Sequence, residues 1–123
     1  MGLAKERRPL FAPSEKVHLV KVSTTGTTIG NIGQFVLEST STGGSVFVTI
    51  NPPAFGREVL VSCYSVGSTS SHLYLDTTGE TFDKAGNDRI NFTTDDAVQL
   101  LGYSTSTWVV TASHGSPVLG STS

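Results

Sequence analysis

The sequence predicts an all-β fold: a compact antiparallel sandwich or barrel of about eight strands, preceded by an extended N-terminal arm. Short apolar runs recur about every ten residues, and Gly, Pro, Asn, Ser and Thr, the residues typical of turns, separate them. No stretch shows a sustained helical period of apolar residues. With 123 residues, the chain is long enough for one domain with a buried core.

Residues 1–16 are expected to form an extended basic arm. Two prolines in this segment bracket a pair of large apolar residues, and proline favours extended backbone at its own position and at the residue before it. Apolar anchors on a basic segment are typical of an extension that docks on a partner, although a frayed terminus is the alternative. The residues predicted to bind the partner are Arg7, Arg8, Leu10 and Phe11.

The β domain is expected to span residues 17–114, and its strands are assigned from alternating apolar residues. Phe35 and Leu37 share one predicted inward face, and Leu73 and Leu75 share another. The predicted strands cover residues 17–22, 34–39, 46–50, 57–66, 72–76, 89–93, 98–103 and 108–112.

The remaining segments are assigned from their composition. The run 57–66 is apolar on both faces, which indicates a central strand. Residues 23–33 are expected to form a long Thr/Gly loop, whereas 42–45 and 104–106 are expected to be hairpin connections. The Gly/Ser/Pro-rich residues 115–123 are predicted to form a flexible C-terminal tail, or a tail that is swapped onto a neighbour.

The composition favours a surface built from hydroxyl groups. Only 15% of the residues are charged, against about 25% in typical domains. The chain contains 16 serines and 17 threonines. This balance suits extracellular and virion β-proteins, and Ser/Thr-rich loops on an ordinary domain are the alternative.

The charges are unevenly distributed along the chain. Residues 1–21 carry a net charge of +3, and the remainder carries −5, which together give the total of −2. A basic arm on an acidic body can bind an acidic neighbour or the next subunit of an oligomer. Nucleic acid is not expected as a partner, because few cations cluster and no basic, aromatic-rich face accompanies them.

The cysteine content and the search for targeting segments further restrict the class of protein and the place of its synthesis. Cys63 is the single cysteine and lies in an apolar run, so an intramolecular disulfide is excluded and a buried thiol is expected. No signal peptide is visible, and no apolar run approaches the ~20 residues of a membrane span. We therefore expect synthesis in a cytoplasm, followed by assembly there or release by lysis.

Two groups of polar residues are candidates for a metal site. Asp83, Asn87 and Asp88 lie in one turn and could bind Ca²⁺, but their spacing matches no calcium-binding loop, and Asx turns are the favoured interpretation. His18, His72 and His114 lie in separate segments without metal-ligand spacing, although a trimer could bring one of them into a threefold cluster. No cofactor is predicted.

The sequence contains no catalytic signature. Gly-x-Ser-x-Gly and phosphate-binding glycine motifs are absent, and the adjacent Asp95 and Asp96 would point to opposite faces of a strand. We therefore predict that the protein is not an enzyme. Trp108, the only tryptophan, is expected to be a core or interface residue, with a sugar-stacking platform as the alternative.

The C-terminal third of the chain resembles the β-rich ends of phage virion proteins. In many of these proteins a Phe-Asp-x-Ala-Gly-Asp-like turn precedes an alternating strand, and a hairpin then closes with Trp-x-Val. The residues that carry the resemblance are Phe82, Asp83, Ala85, Gly86, Asp88, Ile90, Phe92, Val98, Leu100, Trp108 and Val110.

The resemblance implies a structural role. Such proteins include capsid decoration (cement) proteins and head or tail fibres, commonly homotrimers, some of which use an N-terminal arm to reach the shell. The chain has no coiled coil, collagen-like repeat or long shaft, which favours a compact decoration protein. We expect a homotrimer on the outside of an assembled phage capsid that binds the major capsid protein, with neither nucleic acid nor membrane as a partner. The alternative is a receptor- or carbohydrate-binding β module of a fibre or adhesin.

Overall fold

In the computed structural model the chain forms a sandwich of two five-stranded sheets. The structure describes residues 17–22, 26–41, 43–69 and 71–122. The strands are β1 Val17–Val22, β2 Thr27–Ile29, β3 Gly33–Ser39, β4 Gly44–Ile50, β5 Glu58–Ser65, β6 Ser71–Asp76, β7 Arg89–Phe92, β8 Ala97–Gly102, β9 Trp108–His114 and β10 Val118–Gly120. Sheet A has the order β1-β3-β5-β8-β9, and sheet B has the order β10-β7-β6-β4-β2. The predicted all-β sandwich is therefore confirmed.

The chain passes from one sheet to the other after each of its first five strands. As a result β1, β3 and β5 run parallel in sheet A, and β2, β4 and β6 run parallel in sheet B. Antiparallel pairing begins with β7 and joins the remaining strands. The expectation of a wholly antiparallel sandwich is wrong for four of the eight strand pairs. An alternating pattern specifies which side chains face inward, but it does not specify which strand lies alongside.

The connections show where the prediction of hairpins succeeds and fails. Residues 104–106 do join an antiparallel pair, β8 and β9, and the Tyr103 amide donates to the Thr107 carbonyl at 3.0 Å. Residues 42–45 do not form a hairpin, because β3 and β4 lie in different sheets. β3 ends at Ser39 and β4 begins at Gly44, so the connection between these two strands crosses the ~10 Å between the layers.

The core lies between the sheets and follows the predicted alternation. Phe35 and Leu37 are buried, and so are Leu73 and Leu75, as predicted. The largest fully buried side chains include Trp108. Further core residues from both sheets are Val46, Val48, Ile50, Val59, Val61, Ile90, Phe92, Val98 and Leu100.

Two short strands were not predicted. β2 lies inside the expected Thr/Gly loop, where Ile29 is the buried residue. β10 lies in the segment expected to be a flexible tail, and it pairs antiparallel with β7. The amide and hydroxyl of Thr122 also donate to the two carboxylate oxygens of Asp88, both at 2.7 Å. The C-terminal segment through Thr122 is therefore hydrogen-bonded to its own domain, which differs from the expected tail.

The predicted N-terminal arm, residues 1–16, lies outside the described residues. No helix in the described part of the chain is long and apolar enough to cross a membrane.

Candidate interaction surfaces

The outer face of sheet A, called face A below, is rich in uncovered apolar side chains. In each strand alternate residues point to the core, so their neighbours point outward. Val17 and Leu19 of β1 are 58% and 60% exposed, and Val109 of β9 is 37% exposed. The half-buried apolar members between these two edges are Val36, Leu60, Ala97 and Leu101.

The strand register gathers these residues into neighbouring rows. One row runs from Leu19 through Val36 and Ser62 to Ala97. A parallel row contains Leu60 with glutamines on both sides. The charged residues of face A lie near the strand ends: Lys21 beside Glu38 at one end, and Glu58, the first residue of the central strand, opposite Leu101 at the other. An uncharged centre that mixes apolar and polar side chains, with charges toward the rim, resembles the anatomy of a protein–protein interface.

The outer face of sheet B, called face B below, has a different composition. The rings of Phe47 and Tyr74 stack across β4 and β6 with 5.4 Å between centroids, and His72 stacks on Tyr74 at 5.9 Å. The guanidinium of Arg89 lies over both rings, 4.4 Å from the centre of Tyr74 and 5.1 Å from that of Phe47. Face B therefore combines aromatic rings with a positioned cation.

A bidentate ion pair fixes Arg89 in this position. Its Nε donates to Asp76 Oδ1 at 2.7 Å, and its Nη2 donates to Asp76 Oδ2 at 2.8 Å. The pair is only partly exposed, with 27% of the Arg89 side chain and 17% of the Asp76 side chain accessible. Beside it, Asn91 pairs with Tyr74 in register, and the buried Oδ1 of Asn91 has no hydrogen-bond partner among the described residues. This cluster can offer aromatic rings and a fixed ion pair to a polar ligand.

A cleft of about 690 Å³ is lined by residues of β9, β10 and the β6–β7 connection. Its walls include Phe82, Lys84, Tyr103, Trp108 and Leu119. Trp108 itself is fully buried, so it belongs to the core and is not a sugar-stacking platform. Its Nε1 has no hydrogen-bond partner among the described residues.

The turn at 83–88 uses its side chains for structure. Asp83 accepts hydrogen bonds from the backbone amide of Asn87 at 3.0 Å and from its side-chain amide at 2.8 Å. Both oxygens of Asp88 accept from Thr122. The Asp83 side chain therefore closes its own turn, and the Asp88 side chain joins this turn to the C-terminal segment.

The histidines do not form a cluster in the described part of the chain, and the adjacent aspartates lie in different environments. His18 stacks on Phe35 with 5.2 Å between ring centroids, whereas His72 belongs to face B. Within the described residues, no group of three or more His, Cys, Asp or Glu side chains could hold a metal ion. Asp95 and Asp96 were expected to lie in a strand and to point to opposite faces of it. They lie instead in the β7–β8 turn. Asp96 is buried and Asp95 is exposed, which separates the two carboxylates by environment.

Cys63 is buried in β5, with 1% of its surface accessible. Burial, followed by the negative charge of Asp96, raises the pKa of the thiol to about 12. Only the thiolate is nucleophilic, so this environment makes Cys63 inert.

We therefore expect no reaction of native Cys63 with a disulfide reagent at pH 8, and full reaction once denaturant unfolds the chain. Because Cys63 is the only cysteine, the absorbance of the released thiol reports on this residue alone. Rapid labelling of the folded protein would contradict its burial in the core.

The predicted partner-binding residues Arg7, Arg8, Leu10 and Phe11 lie outside the described residues, so the structure gives no contact for them. Sequence reasoning did not identify face A or face B as surfaces. The apolar run at 57–66, which is apolar on both faces, was the sequence signal that could have identified face A. Its strand, β5, is the central strand of sheet A, as predicted, but Leu60 on the outer side of β5 is only half-buried.

No protein-family model and no curated protein matches this sequence.

Proposed function

We propose that this protein is a structural virion protein that binds the outside of an assembled phage capsid and stabilises it without catalysing a reaction. One observation carries the proposal: face A exposes apolar side chains among uncharged polar ones, and its charged residues lie near the strand ends. The hydroxyl-rich composition and the resemblance of residues 82–110 to virion proteins agree with such a role. We place the protein on the capsid exterior, bound to the major capsid protein through the arm residues Arg7, Arg8, Leu10 and Phe11.

Face A is proposed as the contact between three copies of the chain. Five strands spaced by about 4.8 Å, with about six residues each, give a planar footprint of about 480 Å². In a trimer each copy would divide this footprint between its two neighbours, and the relief of the side chains would add to it. Because the centre of face A lacks charges, identical copies can face one another there without repulsion. A homotrimer packed around face A would cover it.

Leu60→Lys tests this contact, because Leu60 lies in the central strand of sheet A. We expect wild-type protein to form the trimer of the 12.9 kDa chain, and Leu60→Lys to fold without forming this threefold contact, since burying three like charges near one axis opposes association. Ser45→Lys is the control, because it adds the same charge to exposed face B. Sedimentation equilibrium at micromolar concentration measures all three proteins. A wild-type chain that remains at 12.9 kDa would rule out the trimer.

The stabilising role is tested by heating phage particles with and without the protein. A ligand that binds only the assembled shell stabilises it by mass action, so genome release should shift to higher temperature when the protein is bound. Phe11→Ala should weaken binding at every ionic strength, because burying that ring contributes about 1.5–3 kcal/mol. Arg7→Ala with Arg8→Ala should matter mainly at low salt, because exposed charges contribute about 1 kcal/mol or less each and are screened. Equal release temperatures would exclude a cement role.

A second candidate, a carbohydrate-binding module of a fibre or adhesin, is favoured by face B alone. Aromatic rings beside the partly exposed Arg89 and Asp76 offer both a stacking surface and hydrogen-bonding groups to a sugar. A glycan array separates the two candidates. Binding that is lost in His72→Ala, whose side chain is exposed at the end of the stack, would favour the module.

A further inference from the structure

Among the residues that the structure describes, the two sheets have four edge strands, and three of them are protected against pairing with another chain. β2 and β10 in sheet B contain three residues each. β9 in sheet A carries a bulge, because Gln99 pairs with Ala112 while the next residue, Leu100, pairs with Val110. Short strands and bulges are the usual means by which proteins prevent edge-to-edge association.

β1 lacks each of these protections. It has six residues, pairs with β3 in an uninterrupted register, and contains neither proline nor glycine. Lys21 is its only charged residue. The outward side chains of Val17 and Leu19 are 58% and 60% exposed. An uninterrupted, largely apolar edge of this length is a template for a further strand.

The backbone groups that β1 offers can be identified from one hydrogen bond. The amide of Thr40 donates to the carbonyl of Val22 at 2.9 Å, so the backbone groups of Val22 face β3. Successive residues of a strand direct their N–H and C=O groups to opposite sides. The groups of Val17, Leu19 and Lys21 therefore point to the open edge.

We propose that β1 pairs antiparallel with β1 of a second copy, about a twofold axis at Leu19. In this register Leu19 lies opposite Leu19 of the second copy, and Val17 lies opposite its Lys21. All three outward residues of each strand then exchange backbone hydrogen bonds, and face A continues across the junction. The two Lys21 side chains are about 14 Å apart along the strands, which exceeds the ~8 Å screening length at physiological ionic strength.

A second copy is the occupant that the chain favours. Because the other three edges are short or bulged, β1 of one copy finds its match only in β1 of another. The chain's own preceding residues are less suited, since Pro9 and Pro13 cannot donate hydrogen bonds to a ladder. This twofold contact depends neither on the capsid role nor on the threefold packing of face A. A chain that makes both contacts forms a hexamer, or a net of trimers.

Charge substitutions at Leu19 test the pairing. Leu19→Lys and Leu19→Glu each place like charges directly opposite one another, so we expect the twofold association constant to fall at least tenfold in either variant. An equimolar mixture of the two variants should restore association, because the opposite charges then face each other. Sedimentation velocity measures the three samples, and the fluorescence of the buried Trp108 verifies that each variant is folded. Equal association of wild type and both single variants would overturn the proposal.

Two further measurements identify the register and the occupant. Val17→Glu should strengthen association and Val17→Lys should weaken it, since each faces Lys21 of the second copy; equal effects would overturn the register. Amide hydrogen exchange at Leu19 should show protection that increases with protein concentration. Protection that is independent of concentration and disappears when residues 1–16 are deleted would instead assign the edge to the chain's own N-terminal segment, and would overturn the proposal.

Discussion

Gly102→Ala is expected to destabilise the fold by about 3 kcal/mol or more. Gly102 is the last residue of β8, and a β-carbon at this position would overlap the carbonyl oxygen of Ala54 in the β4–β5 connection. That connection cannot move aside freely. The Gly102 amide donates to the Arg57 carbonyl, and the Gly56 amide donates to the Gly102 carbonyl, both at 2.8 Å. Relief of the overlap therefore requires the loss of backbone hydrogen bonds as well as a shift of the connection.

Gly120→Ala is the matched control for this substitution. Gly120 is likewise the last residue of a strand, β10, but a β-carbon added there would have no heavy atom within 4 Å. Its φ is not in the left-handed region either. Denaturant unfolding followed by Trp108 fluorescence should separate the two variants by several kcal/mol. A Gly102→Ala protein as stable as Gly120→Ala would show that the β4–β5 connection does not pack on β8 as described.

Asp96→Ala is expected to cost about 3 kcal/mol, because Asp96 is a buried carboxylate with three hydrogen bonds. Its Oδ2 accepts from the amide and the hydroxyl of Thr93, both at 2.8 Å, and its Oδ1 accepts from the Ser116 amide at 2.9 Å. The side chain therefore joins the β7–β8 turn to the segment before β10. Asp95→Asn is the control: it removes the same charge one residue away, and Asn tolerates the left-handed φ of 74° at this position.

The same carboxylate predicts a dependence of stability on pH. Burial alone would raise the pKa of Asp96, but the hydrogen bonds from Thr93 and Ser116 outweigh it and hold the pKa below the ordinary value. The stabilisation is then complete above the unfolded-state pKa of about 4, and is lost as the pH falls through the lower folded-state pKa. We expect Asp96→Asn to lose less stability than wild type between pH 7 and pH 3 in urea titrations. Equal losses would mean that Asp96 does not carry this linkage.

The inward faces of the long strands could be predicted from the sequence, because burial imposes a period of two. Leu73 and Leu75 were assigned to the core in this way, and they are fully buried. β2 could not be recognised, since Ile29 is the single apolar residue of a three-residue strand within a Thr/Gly run. β10 was missed because its glycine, proline and serine neighbours resemble a flexible tail.

The alternation of apolar residues could not predict which strands pair with one another. It therefore could not predict the candidate surfaces either. Face A exists because β1, β3, β5, β8 and β9 lie side by side, and no local signal states that order. Leu60 illustrates the difficulty: its apolar character predicted burial on both faces of a central strand, whereas its outer side is only half-covered. Arg89 and Asp76 form their ion pair because β6 and β7 are neighbours, although 13 residues separate them in the chain.

The crossing of the first six strands between the sheets also determines when the chain can fold. The residues that pair in sheet A are far apart in the sequence. Val17 pairs with Gln34, 17 residues later, Gly33 with Val59, 26 residues later, and Glu58 with Leu101, 43 residues later. Closing such long loops costs entropy before any contact forms, so folding is expected in milliseconds to seconds. During synthesis the central strand β5 has no partner on one side until β8 has left the ribosome. A chain that terminates before the end of β9 therefore cannot complete sheet A, and only molecules that extend past His114 can present the whole of face A.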